Sequence, residues 1–282
     1  MRALRPTVGT FTAATAIGIA ALAGIVLATA GSQSAQAATV TLPPVNGQFD
    51  YQIGGAYTPS SSVAIVDRDR NSSPVSGKYN ICYVNAFQTQ PDEASFWTGS
   101  HSDLLLKGSN GKYISDPDWP GEYILDTSTA AKRASLTTIV GGWIDGCKSA
   151  GFQAVEPDNL DSWNRSKNLL TQANNVAMAT LLAQRAHTDG LAIAQKNTSE
   201  LGSTGKTTVG FDFAIAEECQ FYGECDAYTG PYGNQVIEIE YTDNDRSAYT
   251  DACAAQGRTI SVILRDRDVV PAGDAAYHYE YC

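Results

Sequence analysis

The chain has 282 residues, with 19 Lys and Arg against 30 Asp and Glu, and a net charge of −11. Such an acidic chain lacks the clustered basic residues that bind phosphates, so we expect no nucleic-acid partner. Apolar residues make up 43% of the sequence, which excludes intrinsic disorder and is enough for one large core.

The first 37 residues have the features of a secretory signal peptide. Arg2 and Arg5 precede an uncharged apolar run over residues 11–30, and residues 35–37 (Ala-Gln-Ala) form an A-x-A cleavage signature. An uncleaved membrane anchor is the alternative, because the run approaches spanning length. Its richness in Ala, Gly and Thr favours the signal peptide, so we expect a secreted mature chain over residues 38–282 without membrane contact.

Short β-rich runs and helical patterns alternate along the mature chain. Eight runs are predicted as strands: Tyr51–Tyr57, Val63–Asp67, Tyr79–Asn85, Phe152–Glu156, Leu191–Lys196, Phe211–Ala216, Gln235–Glu240 and Thr259–Leu264. Three stretches are predicted as helices: Thr129–Gly146, Leu169–Thr188 and Ser247–Gln256. This alternation indicates a parallel sheet, and eight strands in about 245 residues predict a single-domain (β/α)₈ TIM barrel of the α/β class.

Two features break the regular alternation near the start. The link from Tyr57 to Val63 is too short for a crossover helix. Residues 86–126, with Trp97 and Trp119, form a long segment of the kind that supplies a functional loop beside a site.

Six cysteines in an exported chain indicate three disulfides rather than a metal site, because no C-x-x-C pair is present and only three His are available. Cys219 and Cys225 are close enough to pair locally. Spacing alone leaves the other pairings open; we predict Cys253–Cys282, which would tie the last residue to the last helix, and Cys82–Cys147, the pair that remains.

Carboxylates stand at or just after the ends of several predicted strands, where TIM barrels gather their active sites. They include Asp67, Glu156, Asp158, Glu217, Glu218, Glu240 and Asp266. Paired carboxylates suit glycoside cleavage, in which one acid protonates the leaving oxygen and the other attacks the sugar carbon or activates water. A solvated rim or a Ca²⁺ site is the alternative, but the Ca²⁺ loop signature is absent, as are the serine-hydrolase and phosphate-loop motifs.

Four motifs in fixed order resemble glycoside hydrolase family 114, the endo-α-1,4-polygalactosaminidases. They are GFQAVEPDNLDSWNRS (Gly151–Ser166), LAIAQKN (Leu191–Asn197), FDFAIAEECQFYGEC (Phe211–Cys225) and IEYTD (Ile239–Asp243). The resemblance extends from about Tyr51 to Asp266, and it implies a TIM barrel that hydrolyses α-1,4-linked galactosamine polymers. The chain departs from the family after the third strand, where a serine- and glycine-rich turn is replaced by NAFQTQPDE (Asn85–Glu93), so we expect different substrate subsites there.

The resemblance implies a retaining pair, with Asp158 as nucleophile and Glu217 as general acid and base. Glu156 stays an alternative nucleophile because strand parity puts it on the same side as Asp158, and Glu218 is a less favoured acid on the side opposite to Glu217. A buried Lys196 would keep a neighbouring carboxylate ionised, although most lysines are exposed. The residues predicted to bind substrate are Gln52, Asp67, Tyr83, Glu156, Asn159, Lys196, Asn197, Glu240 and Tyr241.

Charge agrees with this substrate class. Signal cleavage would remove two arginines and no acid, which leaves 17 basic and 30 acidic residues and a net charge of −13. Such a protein would attract a cationic, galactosamine-containing polysaccharide. The alternatives are a glycosidase of the same fold acting on another α-linked glycan and a non-catalytic carbohydrate-binding barrel; the metal ligands of a polysaccharide deacetylase are missing. We expect a monomer without metal or cofactor.

Overall fold

The computed structural model describes residues 39–282, so the predicted signal peptide lies outside the described residues. Within residues 39–282, no helix combines the length and the apolar character needed to cross a membrane.

Eight parallel strands form one sheet in chain order, and a ninth strand runs antiparallel beside the eighth. The strands are β1 (Phe49–Tyr51), β2 (Ile65–Asp69), β3 (Tyr79–Asn85), β4 (Ala154–Asp158), β5 (Ala192–Lys196), β6 (Phe213–Glu217), β7 (Val236–Tyr241), β8 (Ser261–Arg265) and β9 (Tyr279–Tyr281). Since β1 also packs against β8, the sheet curls into a nearly closed barrel. The predicted TIM-barrel fold is confirmed.

Six α-helices connect the strands: α1 (Ala94–Ser100), α2 (Ala130–Ala150), α3 (Gln172–Thr188), α4 (Cys219–Tyr222), α5 (Asp226–Tyr232) and α6 (Arg246–Gln256). The three predicted helices correspond to α2, α3 and α6. Each is capped at its start by the side chain of Thr129, Thr171 or Asp245, which accepts a backbone N–H from the first turn. A π-helical turn over Gly205–Val209 links β5 to β6. No helix is described between β1 and β2 or between β2 and β3.

The first predicted strand is wrong beyond Tyr51, because β1 ends there and the chain turns at Gly54. A Cβ on Gly54 would lie 2.5 Å from the Val269 carbonyl oxygen, so only glycine allows the two segments to approach this closely. The sequence analysis also missed β9, which is three residues long and partly exposed.

Alternation along the strands separates two apolar layers. In β7, Ile237, Ile239 and Tyr241 point into the barrel, whereas Val236 packs in the outer layer between sheet and helices. Glu238 and Glu240 share the parity of Val236 and are fully buried on that outer side.

Side chains close the seam between β1 and the last two strands. The carbonyls of residues 47, 49 and 51 point away from β2, and each accepts one hydrogen bond: Ser261 Oγ donates to Gly47 O, Tyr279 Oη donates to Phe49 O, and Arg265 donates to Tyr51 O. The edge of β1 is therefore satisfied without a backbone ladder on this side.

All six cysteines form disulfides, and the three predicted pairs are confirmed. They are Cys82–Cys147, Cys219–Cys225 and Cys253–Cys282. The first joins β3 to the last turn of α2, the second closes the segment after β6, and the third ties the end of β9 to α6.

Candidate active site

The C-terminal ends of the strands open into a cleft of about 450 Å³. The segment between β3 and α2 forms one wall and supplies Gln90, Asp92, Asp118 and Trp119. Trp119 is 51% exposed, although its backbone N–H is held by the carboxylate of the buried Asp116. The cleft thus combines a fixed aromatic surface with charged groups.

Lys196, at the end of β5, is the centre of the site. Its ammonium lies 3.7 Å from an Asp158 oxygen and 3.6 Å from a Glu217 oxygen, and it donates to Glu156 Oε1 at 2.7 Å. Burial lowers the pKa of Lys196, but the charges of Asp158, Glu156 and Glu217 outweigh burial and raise it well above its usual value. The lysine is therefore a permanent cation beneath the cleft.

The Asp158 carboxylate has a defined orientation at the end of β4. Its Oδ2 accepts a hydrogen bond from Tyr83 at 2.8 Å, and its Oδ1 accepts the Asn159 N–H at 2.7 Å. Burial and the Asp158 charge raise the pKa of Tyr83, so the phenol stays a donor. These contacts leave Asp158 as a fixed acceptor at the floor of the cleft.

Glu217 ends β6 and is held from both neighbouring strands. Asn197 donates to Glu217 Oε2 at 2.8 Å and accepts the Glu217 backbone N–H at 2.8 Å, while Tyr241 donates to Glu217 Oε1. The side chain of Glu217 is 24% exposed, against 19% for Asp158. Both acids can therefore reach a ligand in the cleft.

A second layer of polar groups lies below the pair. Glu156 is fully buried, and Tyr51 donates to its Oε1 at 3.3 Å. Burial, followed by the charge of Glu156, raises the pKa of Asp67 well above its usual range, which favours the protonated form of Asp67 beside Glu156. Burial also raises the pKa of Glu156, while Lys196 offsets part of that rise. This layer is neutral overall, because Glu156 balances Lys196.

Comparison with known proteins agrees with this arrangement. The family model described as glycoside-hydrolase family GH114 matches residues 29–282. The chain belongs to family GH114.

Among solved structures, the GH114 chain is similar to Aspergillus fumigatus Ega3 in complex with galactosamine, with a TM-score of 0.68 and 24% identity, over 88% of this chain and all of that one. It is also similar to the glycoside hydrolase domain of PelA from Pseudomonas aeruginosa, with a TM-score of 0.58 and 14% identity, over 81% of this chain and 97% of that one. These similarities support the fold. No curated protein sequence matches the chain.

The predicted site residues of this GH114 chain fall into three groups. Seven line the cleft: Tyr83, Asp158, Asn159, Lys196, Asn197, Glu217 and Tyr241. Asp67 and Glu156 lie beneath them, and Glu156 is held by Lys196 and Tyr51 rather than open to a ligand.

Gln52 and Glu240 point away from the cleft. Gln52 hydrogen-bonds to Asp50 and Arg68 outside the barrel, and Glu240 accepts backbone N–H groups from α4. The physical reason is that successive side chains of a strand point to opposite faces of the sheet. Gln52 follows the inward Tyr51, and Glu240 precedes the inward Tyr241, so both point outward.

Glu218 lines the cleft beside Glu217 but has its own partners. Arg267 donates to both of its carboxylate oxygens, at 2.7 and 2.9 Å, and Asn244 donates at 2.5 Å. The residue has a left-handed backbone, with φ 63°, which turns its side chain away from the Lys196 cluster. Glu218 is thus an ion-paired wall residue.

Several cleft residues were missed by the sequence analysis: Tyr51, Asp92, Asp118, Glu122, Asp161, Arg165 and Arg267. Tyr51 lay within a predicted strand and could have been found from parity. The others come from loops, where spacing gives no direction for a side chain.

An acidic side pocket of about 350 Å³ continues the cleft on the Glu217 side. Its lining includes Glu200, Tyr222 and Glu224, and Tyr222 is 64% exposed. The cleft therefore continues past Glu217, with the exposed Trp119 in its main part and the exposed Tyr222 in the side pocket.

Proposed function

We propose that this GH114 chain is a secreted, endo-acting glycosidase that hydrolyses α-1,4-linked galactosamine polymers with retention of configuration. The observation that carries the proposal is the position of Asp158 and Glu217, both within 3.7 Å of the same buried lysine ammonium at the barrel mouth. Two carboxylates at one point of an open cleft are the requirement for glycoside cleavage.

In the first step, Glu217 gives its proton to the glycosidic oxygen while Asp158 attacks the anomeric carbon. The carbon–oxygen bond to the leaving sugar breaks, and an ester between Asp158 and the remaining sugar forms. Tyr83 and Lys196 orient Asp158 for attack.

In the second step, water replaces the leaving sugar. Glu217 takes a proton from that water, whose oxygen attacks the anomeric carbon and releases Asp158. Glu217 is thereby protonated again, and two inversions leave the product with the configuration of the substrate. Asn197 and Tyr241 keep the Glu217 carboxyl in place through both steps.

The distances favour the covalent route. The Asp158 and Glu217 oxygens that face Lys196 are at most about 7 Å apart, the sum of their distances to its nitrogen. For these two oxygens the limit admits the retaining separation of about 5–5.5 Å and overlaps the inverting range of about 6.5–9.5 Å only at its lower end.

Charge supports an amino-sugar substrate. Nine residues lining the cleft are acidic and three are basic. Deacetylated galactosamine units carry ammonium groups, which such a cleft would attract. Ega3, the relative solved with galactosamine, has a similar fold. The continuation of the cleft past Glu217 supports cleavage within a polymer.

Export is part of the proposal. Three disulfides suit an oxidising compartment, and the sequence predicts a cleaved signal peptide. We expect the mature enzyme to act as a monomer.

The test is to incubate the mature protein with defined α-1,4-galactosamine oligomers and with N-acetylated, glucosamine and neutral polymers, and to identify the products by mass spectrometry. Asp158→Asn and Glu217→Gln should each lower turnover by about 10³-fold or more while circular dichroism stays unchanged. Glu218→Gln is the matched control and should stay within about tenfold of the parent, because the proposal gives it no proton transfer. Full activity of either site variant, or an inverted anomer in the first product by NMR, would contradict the mechanism.

A further inference from the structure

Two buried glutamates lie directly behind the segment that follows Glu217. Glu238 and Glu240 are on the outer side of β7, and both are 0% exposed. Within residues 39–282 neither forms an ion pair with Lys or Arg. The mechanism above uses neither of them, so their burial without a cation calls for an explanation.

Their hydrogen-bond partners belong to the segment that carries Glu217. Glu240 Oε1 accepts the N–H groups of Gln220 and Phe221 at 3.0 and 3.3 Å, and Glu238 Oε1 accepts the same Gln220 N–H at 3.2 Å. Gln256, on α6, donates to Glu238 Oε2 at 2.9 Å. The pair therefore joins the start of α4 to β7 and α6.

The two carboxyls accept the same Gln220 N–H, so they lie side by side. Burial, followed by the charge of Glu240, raises the pKa of Glu238 to about 8, and Glu238 is hydrogen-bonded to Glu240. Glu240 Oε2 is fully buried and has no hydrogen-bond partner among the described residues, so a proton on Glu238 would find an acceptor there. At neutral pH the pair thus carries one negative charge, which the two α4 amides bind.

Adjacent residues of β7 bind Glu217 and the segment that follows it from opposite sides of the sheet. Tyr241 points inward and donates to the Glu217 carboxylate, whereas Glu240 points outward and binds amides three and four residues after Glu217. The Cys219–Cys225 disulfide closes the same segment. The segment that follows Glu217 is therefore fixed by β7 and by this disulfide.

We propose that Glu238 and Glu240 are positioning residues for Glu217, which hold the segment over residues 218–226 against β7 by sharing one proton. The proposal rests on the role given to Glu217 above. Loss of the shared proton leaves two buried carboxylates facing each other, so the segment should loosen and Glu217 should lose its alignment.

The neighbouring charges do not remove this repulsion. Besides its partner, Glu238 faces the neutral groups of Gln220 and Gln256 and the disulfide-bonded sulfur of Cys225, which lies 3.5 Å from Glu238 Oε1. The Glu218 carboxylate adds to the rise in the pKa of Glu240, and Arg267 is engaged by Glu218 and Asp243. Ionisation of Glu238 near pH 8 should therefore loosen the segment over residues 218–226.

Glu238→Gln is the decisive variant, because a side-chain amide can donate to Glu240 at every pH. Hydrogen exchange of residues 218–226, corrected for the intrinsic rate, should increase between pH 7 and pH 9 in the parent protein and not in the variant. In the Glu238→Gln variant, the alkaline decline of kcat/KM should likewise move to a higher pH than in the parent protein. At one pH unit above a pKa of about 8, the glutamate pair should still hold its proton in about a tenth of the parent molecules.

Glu240→Gln is the second variant and should also abolish the pH response, since it too leaves one fixed charge in the pair. An equal rise of exchange in the parent and in Glu238→Gln would overturn the proposal, whatever the activity profile shows. Full activity of Glu217→Gln would instead refute the proposed function, so the two failures are distinguishable.

Discussion

Lys196→Met should destabilise the protein strongly, because it removes the buried cation beneath Asp158 and Glu217. Lys196 is 1% exposed, and its ammonium contacts Glu156 at 2.7 Å. Removing one partner of a buried ion pair costs about 3–5 kcal/mol. For a domain of this size that corresponds to a fall in melting temperature of about 6–20 °C.

Glu156 accounts for most of the expected loss, since Asp158 and Glu217 remain partly exposed to water. In the Lys196→Met variant the pKa of Glu156 should rise further, which favours its protonated form in the folded state. A carboxyl group whose pKa is higher in the folded than in the unfolded state stabilises the fold at low pH, and this stabilisation is lost as pH increases. The destabilisation should therefore be largest at pH 7 and should shrink towards pH 4.

Denaturant unfolding followed by circular dichroism measures the free energy of unfolding for a double-mutant cycle with Glu156→Gln. The double variant should recover about 1–3 kcal/mol relative to the sum of the two single changes, because no buried charge is left unpaired. Lys206→Met, at an exposed position, is the matched control and should change stability by about 0.5 kcal/mol or less. A Lys196→Met variant within about 1 kcal/mol of the parent would refute the reasoning.

Two further predictions concern the cleft wall and the disulfides. Trp119→Ala should raise KM for a galactosamine oligomer about 2–5-fold with little change in kcat, because an exposed indole contributes about 0.5–1 kcal/mol to the binding of an ammonium group. Trp119→Phe should keep part of this affinity. An unchanged KM for Trp119→Ala would show that the residue does not bind substrate. Replacing Cys82 and Cys147 by Ala should cost about 4 kcal/mol of unfolding free energy, against about 2 kcal/mol for Cys219 and Cys225, because the first pair closes a span of 65 residues and the second a span of 6. Equal losses in thermal or denaturant unfolding would contradict the dependence on loop length.

The order of the strands could be predicted from sequence because buried parallel strands are short apolar runs between turns. Tyr79–Asn85 has the predicted bounds, and β4 to β8 lie within about two residues of their predictions. The start of the barrel was harder to predict, because β1 has only three residues and the glycines after Tyr51 continue its apolar pattern. The antiparallel strand β9 depends on pairing with β8, which no local pattern reveals.

The candidate site was predicted where chemistry and strand ends coincide, as at Asp158, Lys196 and Glu217. Glu240 and Tyr241 were both predicted to bind substrate, although adjacent residues of a strand cannot both face the barrel interior. That rule was available from sequence. The layering of Asp67 under Glu156 was not, because depth along a barrel axis depends on strand stagger.

The Cys82–Cys147 bond brackets the long segment that forms one wall of the cleft. It ties β3 to the helix that leads directly into β4, so the junction between these strands is fixed independently of what lies between them. Changes in the length of a flexible loop cost little, about 0.6 kcal/mol for each doubling. The exposed turns within residues 86–128, unlike buried side chains such as Trp97 and Leu105, are therefore the places where insertions should reshape the cleft wall and leave the barrel folded.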